Sequence, residues 1–383
     1  MQDNARVSDQ TTADALVDPR QLAAPLDGSG STLVLTTNPG IEDVVIEEMR
    51  ERAGAAGVEI VRAEEKPFGL DGYVLIESAQ SFELLEPIAL QLRSIHHILH
   101  PLYSFALPQE GALETIRREV AARAVPQMDL ARSFRVTSRR NGDHDFSSMD
   151  VQRAAGAALV ERYACAVDLE NYDVEVRVDV FGQTCLVGIQ LTQKNLSKRY
   201  WRVFQPRAAI KSNVAYAMLR FARLDQGQGA LLDPFCGSGT ILIEAAQIYP
   251  NIELFGSDMH GATMVGAQIN AKALGLGQRI HFQQADARRL RPVYPEAYFN
   301  AVVTNPPFGV RMGQQVNFFH LYRLFIEQVW SLLQPGGLLV MLVSKRGVFN
   351  KVLEQNKRLY LSRHVRVVET GGVYPAIFVL QRL

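Results

Sequence analysis

From residue 212 to the end of the chain, short apolar runs alternate with longer segments whose apolar residues recur every three or four positions. The short runs are typical of buried strands and the longer segments of helices packed on one face. Strands that alternate with helices form a parallel sheet covered by helices on both sides. The pattern therefore predicts a doubly wound α/β domain over 212–383 that ends in a hairpin. We predict helices between the first five strands, and strands at 230–233, 253–258, 280–286, 299–305, 338–344, 365–369 and 377–380.

The beginning of the chain has a different order of elements. Strands are predicted at 33–37, 58–63, 72–77 and 97–105, with one helix beginning at Ile41 and another at 82–92. The resulting order, β-α-β-β-α-β, is that of a small ferredoxin-like sheet. We therefore predict a ferredoxin-like domain at 32–105, preceded by a mobile polar tail at 1–31.

Residues 106–193 form a further α+β unit. Its predicted elements are helices at 113–125 and 149–163 and strands at 133–138, 174–180 and 185–190. In 174–180, valine alternates with charged residues, which predicts a strand buried on one face only. Phe181-Gly-Gln183 turns this strand back onto an apolar hairpin partner. A basic linker at 194–211 would join this unit to the last domain.

Composition narrows the class of protein. Hydrophobic residues make up 47% of the chain, and no window approaches the apolar length of a membrane span. The polar N-terminus is not a signal peptide. Three cysteines, Cys165, Cys185 and Cys236, lack metal-ligand spacing, which favours reduced thiols in the cytoplasm. The histidines at 96, 97, 100 and 320 also lack the spacing of a metal site, so we predict none.

The chain has no net charge, because it contains forty acidic and forty basic residues. Only a local cluster of basic residues could therefore indicate nucleic-acid binding. Residues 194–211 contain no acid, and aromatic Tyr200, Trp201 and Phe204 lie between the cations. Such a run is either a solvated linker or a surface that follows a phosphate backbone and stacks on unpaired bases. Its cations are Lys194, Lys198, Arg199, Arg202, Arg207 and Lys211. A second cationic cluster, diluted by nearby acids, consists of Arg132, Arg135, Arg139 and Arg140.

The most informative motif is Asp233-Pro-Phe-Cys-Gly-Ser-Gly-Thr240, which lies between a predicted strand and a predicted helix. Gly237 and Gly239 permit a tight turn whose backbone N–H groups and helix N-terminus face a ligand. It is not a dinucleotide fingerprint, because Leu242 occupies the position of the third glycine, and it is not a P-loop, because it lacks Gly-Lys-Ser/Thr.

Acidic residues stand at the ends of successive strands, at Asp233, Asp258 and Asp286. Each could simply cap the helix that follows. A nucleoside-containing cofactor across the strand ends would instead use one carboxylate for its ribose hydroxyls and another for its adenine amino group.

The second motif is Asn305-Pro-Pro-Phe-Gly309, at the end of another predicted strand. The prolines fix the backbone, so that the Asn305 side chain and the Pro306 carbonyl point out of the sheet edge. At this edge of an open sheet, such outward-facing groups could bind a ligand. The alternative is a rigid strand-end turn. Arg311 lies in the loop that follows.

The glycine motif resembles that of the class I S-adenosylmethionine-dependent methyltransferases, and Asn305-Pro-Pro-Phe308 is similar to the motif of enzymes that methylate exocyclic or amide nitrogens. Residues 106–193 resemble the RNA-binding THUMP domain, with Phe134-Arg-Val136, Phe146-Ser-Ser148 and Val187-Gly-Ile189. The resemblance covers residues 32–383 and points to THUMP-type guanine-N2 RNA methyltransferases, chiefly those acting on the tRNA acceptor stem.

This resemblance implies a set of site residues. Catalysis would fall to Asn305 and Pro306, whose side-chain oxygen and carbonyl would hold both hydrogens of an exocyclic amine, and to Phe308, which would stack on the base. Arg311 would close over the base or contact a phosphate. Cofactor contacts would come from Asp233, Phe235, Gly237, Gly239, Asp258, Asp286, Ala287 and Asn305. RNA contacts would come from Arg135, Arg139, Arg140, Lys194, Lys198 and Arg199.

Other functions stay open at this point. Within the enzymes, the runner-up is a 23S rRNA guanine-N2 methyltransferase, and an N6-adenine enzyme is a weaker alternative. In another class, the chain is a non-catalytic RNA-binding protein with a relict cofactor fold.

Overall fold

The computed structural model describes residues 31–383 apart from residues 201, 207–208, 225–227 and 310–315. The predicted tail lies outside the described residues except for Ser31, which begins the first strand. Trp201, Arg207 and Arg311 also lie outside them. The chain divides into two compact units, one containing 68–70 and 101–190, the other containing 31–67, 71–100 and 191–383.

The N-terminal elements follow the predicted β-α-β-β-α-β order. They are β1 (Ser31–Thr36), α1 (Glu42–Ala55), β2 (Ile60–Glu65), β3 (Tyr73–Ser78), α2 (Phe82–Ala89) and β4 (His97–Ala106). The strands stand in the order β2-β3-β1-β4, and neighbouring strands are antiparallel. Leu33 and Leu35 of β1 are fully buried against the helices, which confirms the predicted ferredoxin-like arrangement.

The unit that contains 101–190 has two helices and a small sheet. Its elements are α3 (Ala112–Ala122), β5 (Ser133–Thr137), β6 (Arg140–Asn141), α4 (Ser148–Tyr163), β7 (Ala166–Val167), β8 (Val174–Phe181) and β9 (Thr184–Gln190). A capping box between Ser147 and Asp150 starts α4. β8 and β9 form the predicted antiparallel hairpin.

The prediction that β8 is buried on one face only was wrong. Val176 and Val178 are fully buried, but Glu175 and Asp179 on the other face are buried as well. Each of these carboxylates is 2.7 Å from a guanidinium nitrogen, Glu175 from Arg135 and Asp179 from Arg177. Paired and hydrogen-bonded charges can be buried, and alternation along the strand does not reveal the partners.

The last 172 residues (212–383) form the predicted doubly wound domain. Its elements are α5 (Ser212–Phe221), β10 (Gly229–Asp233), α6 (Thr240–Ile248), β11 (Ile252–Asp258), α7 (Gly261–Ala273), β12 (Ile280–Gln284), β13 (Phe299–Thr304), α8 (Phe318–Leu332), β14 (Leu333–Val343), α9 (Arg346–Gln355), β15 (Tyr360–Val367) and β16 (Ala376–Arg382). The strand order is β12-β11-β10-β13-β14-β16-β15. The first five strands in this order are parallel, and β16 and β15 add the predicted antiparallel hairpin.

One predicted helix is missing from this domain. Residues 285–298, all of which are described, connect β12 to β13 through turns without a helix. Pro292 and Pro295 explain the difference, because each lacks an N–H donor and disfavours helical geometry in the residue before it.

The sheet separates two apolar cores. Leu231 of β10 packs with residues of α5, α6 and α7 on one face, and Leu232 packs with residues of α8 and α9 on the other. The strand order reverses between β10 and β13, so the crevice beyond their carboxyl ends is where an open α/β sheet binds ligands.

Candidate active site

The glycine motif forms a tight loop at the end of β10. Gly237 and Gly239 have φ angles of 53° and 81°, in the left-handed region that favours glycine. The Cys236 amide donates to the Ser257 carbonyl at 2.9 Å, which ties the loop to β11. A Cβ atom added at Gly237 would meet only the Phe235 carbonyl oxygen, at 3.9 Å. The loop therefore leaves open space beside Gly237 for a ligand.

Asp233 is buried beneath this loop, and one of its carboxylate oxygens accepts two hydrogen bonds. Its Oδ1 accepts a bond of 2.7 Å from the Thr304 hydroxyl and one of 3.2 Å from the Phe235 amide. Burial raises the pKa of Asp233 to about 7, although the two donors act in the opposite direction. Asp233 therefore supports the loop from below, as part of a bonded network.

Asp258 and Asp286 lie at the same edge of the sheet. Asp258, half-buried at the end of β11, accepts hydrogen bonds from the Gly237 amide at 3.3 Å and the His260 amide at 3.0 Å. Asp286 follows β12 and is held by the guanidinium of Arg288, whose hydrogen bonds lower the Asp286 pKa. The next residue, Ala287, is buried in the core under the sheet.

The Asn305 motif leaves the end of β13, the strand beside β10. Pro306 is buried and Asn305 is half-buried. The Asn305 Oδ1 atom is shielded from solvent and has no hydrogen-bond partner among the described residues. The Phe308 ring is partly buried against the core, and its carbonyl accepts a hydrogen bond of 3.1 Å from the Ser344 hydroxyl after β14. An unsatisfied buried acceptor at a ligand-binding edge indicates a missing donor.

Sequence reasoning missed Thr304 and Ser344. Each connects a predicted motif to a neighbouring strand end, Thr304 to Asp233 and Ser344 to Phe308. A hydroxyl residue at a strand end carries no signal of its own, because its partner depends on which strands become neighbours in the sheet.

The three predicted RNA-binding arginines of the 101–190 unit differ in their exposure and in their hydrogen-bond partners. The Arg135 guanidinium pairs with Glu175 and lies 4.1 Å above the Tyr172 ring. Arg139 is exposed, and its backbone amide donates to Asp179. Arg140 donates to the Gly142 carbonyl at 2.8 Å.

The predicted residues of the basic linker also divide into two kinds. Lys194 and Lys198 are exposed. The Arg199 guanidinium is instead largely buried: its Nε lies 3.2 Å from the fully buried Glu244 of α6, and its terminal nitrogens donate to the carbonyls of Leu92 and Arg93. Arg93 pairs with the same carboxylate at 2.9 Å. This network fastens the loop before β4 and the linker to the helix that follows the glycine motif.

Cys165, Cys185 and Cys236 are buried free thiols. No cluster of three or more histidine, cysteine or acidic side chains suited to a metal ion occurs in the part of the chain that the structure describes. Across the same residues, no helix has the length and apolarity needed to span a bilayer.

Comparisons with known protein families agree with the fold and the loop pair. Residues 199–376 match the UPF0020 family, described as an RMKL-like methyltransferase domain, and residues 112–190 match the THUMP domain. The chain is thus a THUMP-domain methyltransferase.

Relatives of known activity narrow this class. Over 356 residues the chain is 37% identical to the tRNA (guanine(6)-N2)-methyltransferase of Thermus thermophilus, covering 92% of this chain and 99% of the relative. It is 30% identical to the enzyme of the same name from Archaeoglobus fulgidus, over 65% of this chain and 69% of the relative. The crystal structure of TrmN from Thermus thermophilus matches with a TM-score of 0.75 at 36% identity, covering 92% of this chain and 99% of that one. The protein belongs to this family of tRNA (guanine-N2) methyltransferases, and its cofactor is S-adenosylmethionine.

Proposed function

We propose that this enzyme transfers a methyl group from S-adenosylmethionine to the exocyclic N2 of a guanosine in tRNA, in the acceptor stem. The observation that carries the proposal is the buried, unpartnered Oδ1 of Asn305, at the strand end next to the glycine loop. The family relationship supports the same substrate. A buried acceptor without a donor is unfavourable by about 1–3 kcal/mol, so the position favours a ligand that donates an N–H.

The guanine amine needs this acceptor because its lone pair is delocalised into the ring. Asn305 Oδ1 would accept one amine hydrogen, and the Pro306 carbonyl would accept the other. With both hydrogens held, the lone pair points out of the base plane toward the reacting carbon. Phe308 would stack on the base and fix its plane. The base must first leave its stack, which takes a few kcal/mol that RNA binding elsewhere can offset.

The cofactor fits the residues beside this site. The open space beside Gly237, the Asp258 carboxylate and the Asp286–Ala287 pair would hold its amino acid, ribose and adenine portions, with Phe235 lining the loop. S-adenosylmethionine, when bound, supplies an electrophilic methyl group that requires no acid catalysis. The contribution of the chain is therefore alignment and electrostatics. We assign no side chain as a general base, so the product proton would leave to water.

We propose domain limits of 32–105, 106–193 and 212–383, with 194–211 as a basic linker. The exposed Arg139, Lys194 and Lys198 would contact RNA, whereas Arg135, Arg140 and Arg199 would contribute to the same surfaces mainly by shaping them. We place the enzyme in the cytoplasm, because buried free thiols are typical of a reducing compartment.

A labelled-methyl assay tests the proposal. The enzyme is incubated with labelled cofactor and either total tRNA or total rRNA, and the nucleosides are analysed by mass spectrometry. We expect N2-methylguanosine in tRNA. The same product in rRNA alone would support the 23S rRNA alternative, and N6-methyladenosine would contradict both. If calorimetry detected no cofactor binding, the chain would be a non-catalytic RNA-binding protein.

Variants of Asn305 connect the activity to the site. Asn305→Ala should abolish methylation while cofactor and RNA affinities persist. Asn305→Asp keeps an acceptor oxygen and should retain more activity than the alanine variant. Turnover by Asn305→Ala equal to that of the wild type would refute the assigned role.

A further inference from the structure

A strip of unpaired cations begins beside the catalytic motif. Residues 345–358 contain five basic residues and a single acid, Glu354. All five basic side chains are exposed, and none has a hydrogen-bond or ion-pair partner among the described residues. We call Lys345, Arg346, Lys351, Lys357 and Arg358 the basic strip. Because the whole chain has no net charge, this strip is a local concentration of positive charge.

The register of the sheet fixes where the strip begins. β13 and β14 are parallel neighbours, with Thr304 opposite Met341. Their carboxyl ends therefore lie side by side. Asn305 directly follows β13, and Lys345 lies two residues after the end of β14. The hydrogen bond from Ser344 to the Phe308 carbonyl joins these segments directly. Lys345 and Arg346 come immediately after that bond, so they stand at the edge where the base must enter.

Helix α9 carries the strip away from this edge. Phe349 and Val352 are buried against the core, so the opposite side of the helix faces solvent. Arg346 and Lys351 are on the exposed side, and Lys357 and Arg358 follow the helix end. Ten helical residues extend about 15 Å, a length that can follow several phosphates of a nucleic acid strand.

The charged groups of the basic strip make no ion pair among the described residues. Arg199, by comparison, forms an ion pair with the buried Glu244. Exposed cations most often form only a solvated surface. The basic strip differs from such a surface because of its position beside the Asn305 motif. The phosphates on either side of a nucleotide presented to Asn305 must pass near the same sheet edge, and a polyanion is the partner that unpaired lysine and arginine side chains attract.

We propose that the basic strip binds the phosphate backbone of the RNA strand that contains the target guanosine, with Lys345 and Arg346 nearest the flipped nucleotide. This inference rests on the proposed function and adds a second RNA contact, on the catalytic domain itself. Phosphate contacts fix position and register without reading sequence. The strip thus positions the strand while Asn305 and Phe308 recognise the base.

The test compares Lys345→Ala/Arg346→Ala with Lys272→Ala/Arg223→Ala. The control pair also removes two exposed cations, but at the amino-terminal edge of the sheet, at the end of α7 and before β10. Binding of the full-length protein to unmodified tRNA is measured over a range of salt concentrations. For the strip variant we expect affinity to fall about tenfold and the slope of log K against log salt to decrease by about 1.5. The control pair should bind like the wild type, and both variants should keep wild-type cofactor affinity and thermal midpoint.

The outcomes separate this inference from the proposed function. If the wild type methylates tRNA but the strip variant binds with unchanged affinity and slope, the inference is wrong and the function stands. An equal loss in the control pair would also overturn it, because the effect would then come from net charge and not from the strip. If the wild type binds tRNA through the strip but yields no methylated guanosine, the proposed function fails instead.

Discussion

The Thr304 hydroxyl donates a hydrogen bond of 2.7 Å to the Asp233 carboxylate. Both side chains are buried, and they lie 71 positions apart in the chain. Asp233 precedes the glycine loop and Thr304 precedes Asn305, so this one bond joins the two strand ends from which the loops of the proposed active site begin. Because Thr304 is fully buried and its hydroxyl is bonded to Asp233, we regard it as a positioning residue that acts through the two loops.

Replacing Thr304 by valine should lower kcat. Core packing should change little, because the valine and threonine side chains have nearly the same shape. The variant loses the hydrogen bond that joins the ends of β10 and β13, where the two loops begin. A small displacement of the reacting groups can lower a rate by up to about 100-fold. We expect a 10- to 100-fold fall in kcat with a much smaller change in KM for RNA, measured in the labelled-methyl assay. Thr304→Ser keeps the hydroxyl and should restore most of the rate; a valine variant as fast as the wild type would show that the bond does not position the loops.

The raised pKa of Asp233 should make stability depend on pH. Its pKa is about 7 in the folded protein and about 3.9 in the unfolded chain, so the folded state holds the proton more tightly between these values. This stabilisation is complete below the unfolded pKa and is lost as pH rises through 7. Relative to Asp233→Asn, which cannot titrate, the free energy of unfolding of the wild type should fall by about 2 kcal/mol from pH 5 to pH 7. Urea unfolding at each pH, without cofactor, measures the difference, and a difference independent of pH would contradict the assigned protonation.

Gly237→Ala should weaken cofactor binding beyond its effect on stability. Gly57→Ala is the matched control, because Gly57 also has a positive φ, 71°, and also faces open space, but lies after α1. Each change should destabilise the fold by about 1 kcal/mol, since alanine is strained in the left-handed region. Calorimetry should show reduced S-adenosylmethionine affinity for Gly237→Ala alone. Equal cofactor affinity in the two variants would place the ligand away from Gly237.

Lys198 and Arg199, adjacent in the chain, should have separate effects. Arg199→Ala removes a partner of the buried Glu244 and the donor to two backbone carbonyls, so it should lower the free energy of unfolding by about 2 kcal/mol. Lys198→Ala should leave stability unchanged and weaken RNA binding. Chemical denaturation and tRNA titration of both variants measure these effects. If Arg199→Ala kept full stability and lost as much RNA affinity as Lys198→Ala, its guanidinium would be contacting RNA in solution.

The described structure confirms the sequence predictions that depend on local chemistry. Gly237 and Gly239 have the positive φ angles expected of the loop. All seven strands of the last domain occur where they were predicted, although β14 and β15 each begin five residues earlier than the predicted limits. The absence of a helix at 285–298 also has a local cause, because Pro292 and Pro295 disfavour helical geometry there.

Partners distant in sequence could not be predicted in this way. The pattern of β8 gave no indication that Glu175 would be buried, because Arg135 lies forty positions earlier. In sequence, Arg199 and Lys198 are equivalent cations of one run, and only the packing of α6 places Glu244 against Arg199.

The amino-acid sequence by itself determined the doubly wound sheet, the two loops and the chemistry that they suggest, because backbone preference and hydrophobic periodicity act over a few residues. The tertiary structure decided which side chains support those loops and which charges remain available to a ligand. Thr304 meets Asp233, and the segments that contain Asn305 and Lys345 leave the same edge of the sheet, only because β10, β13 and β14 are neighbours in one sheet. Strand adjacency depends on long-range packing of the whole domain, and no short stretch of sequence contains it.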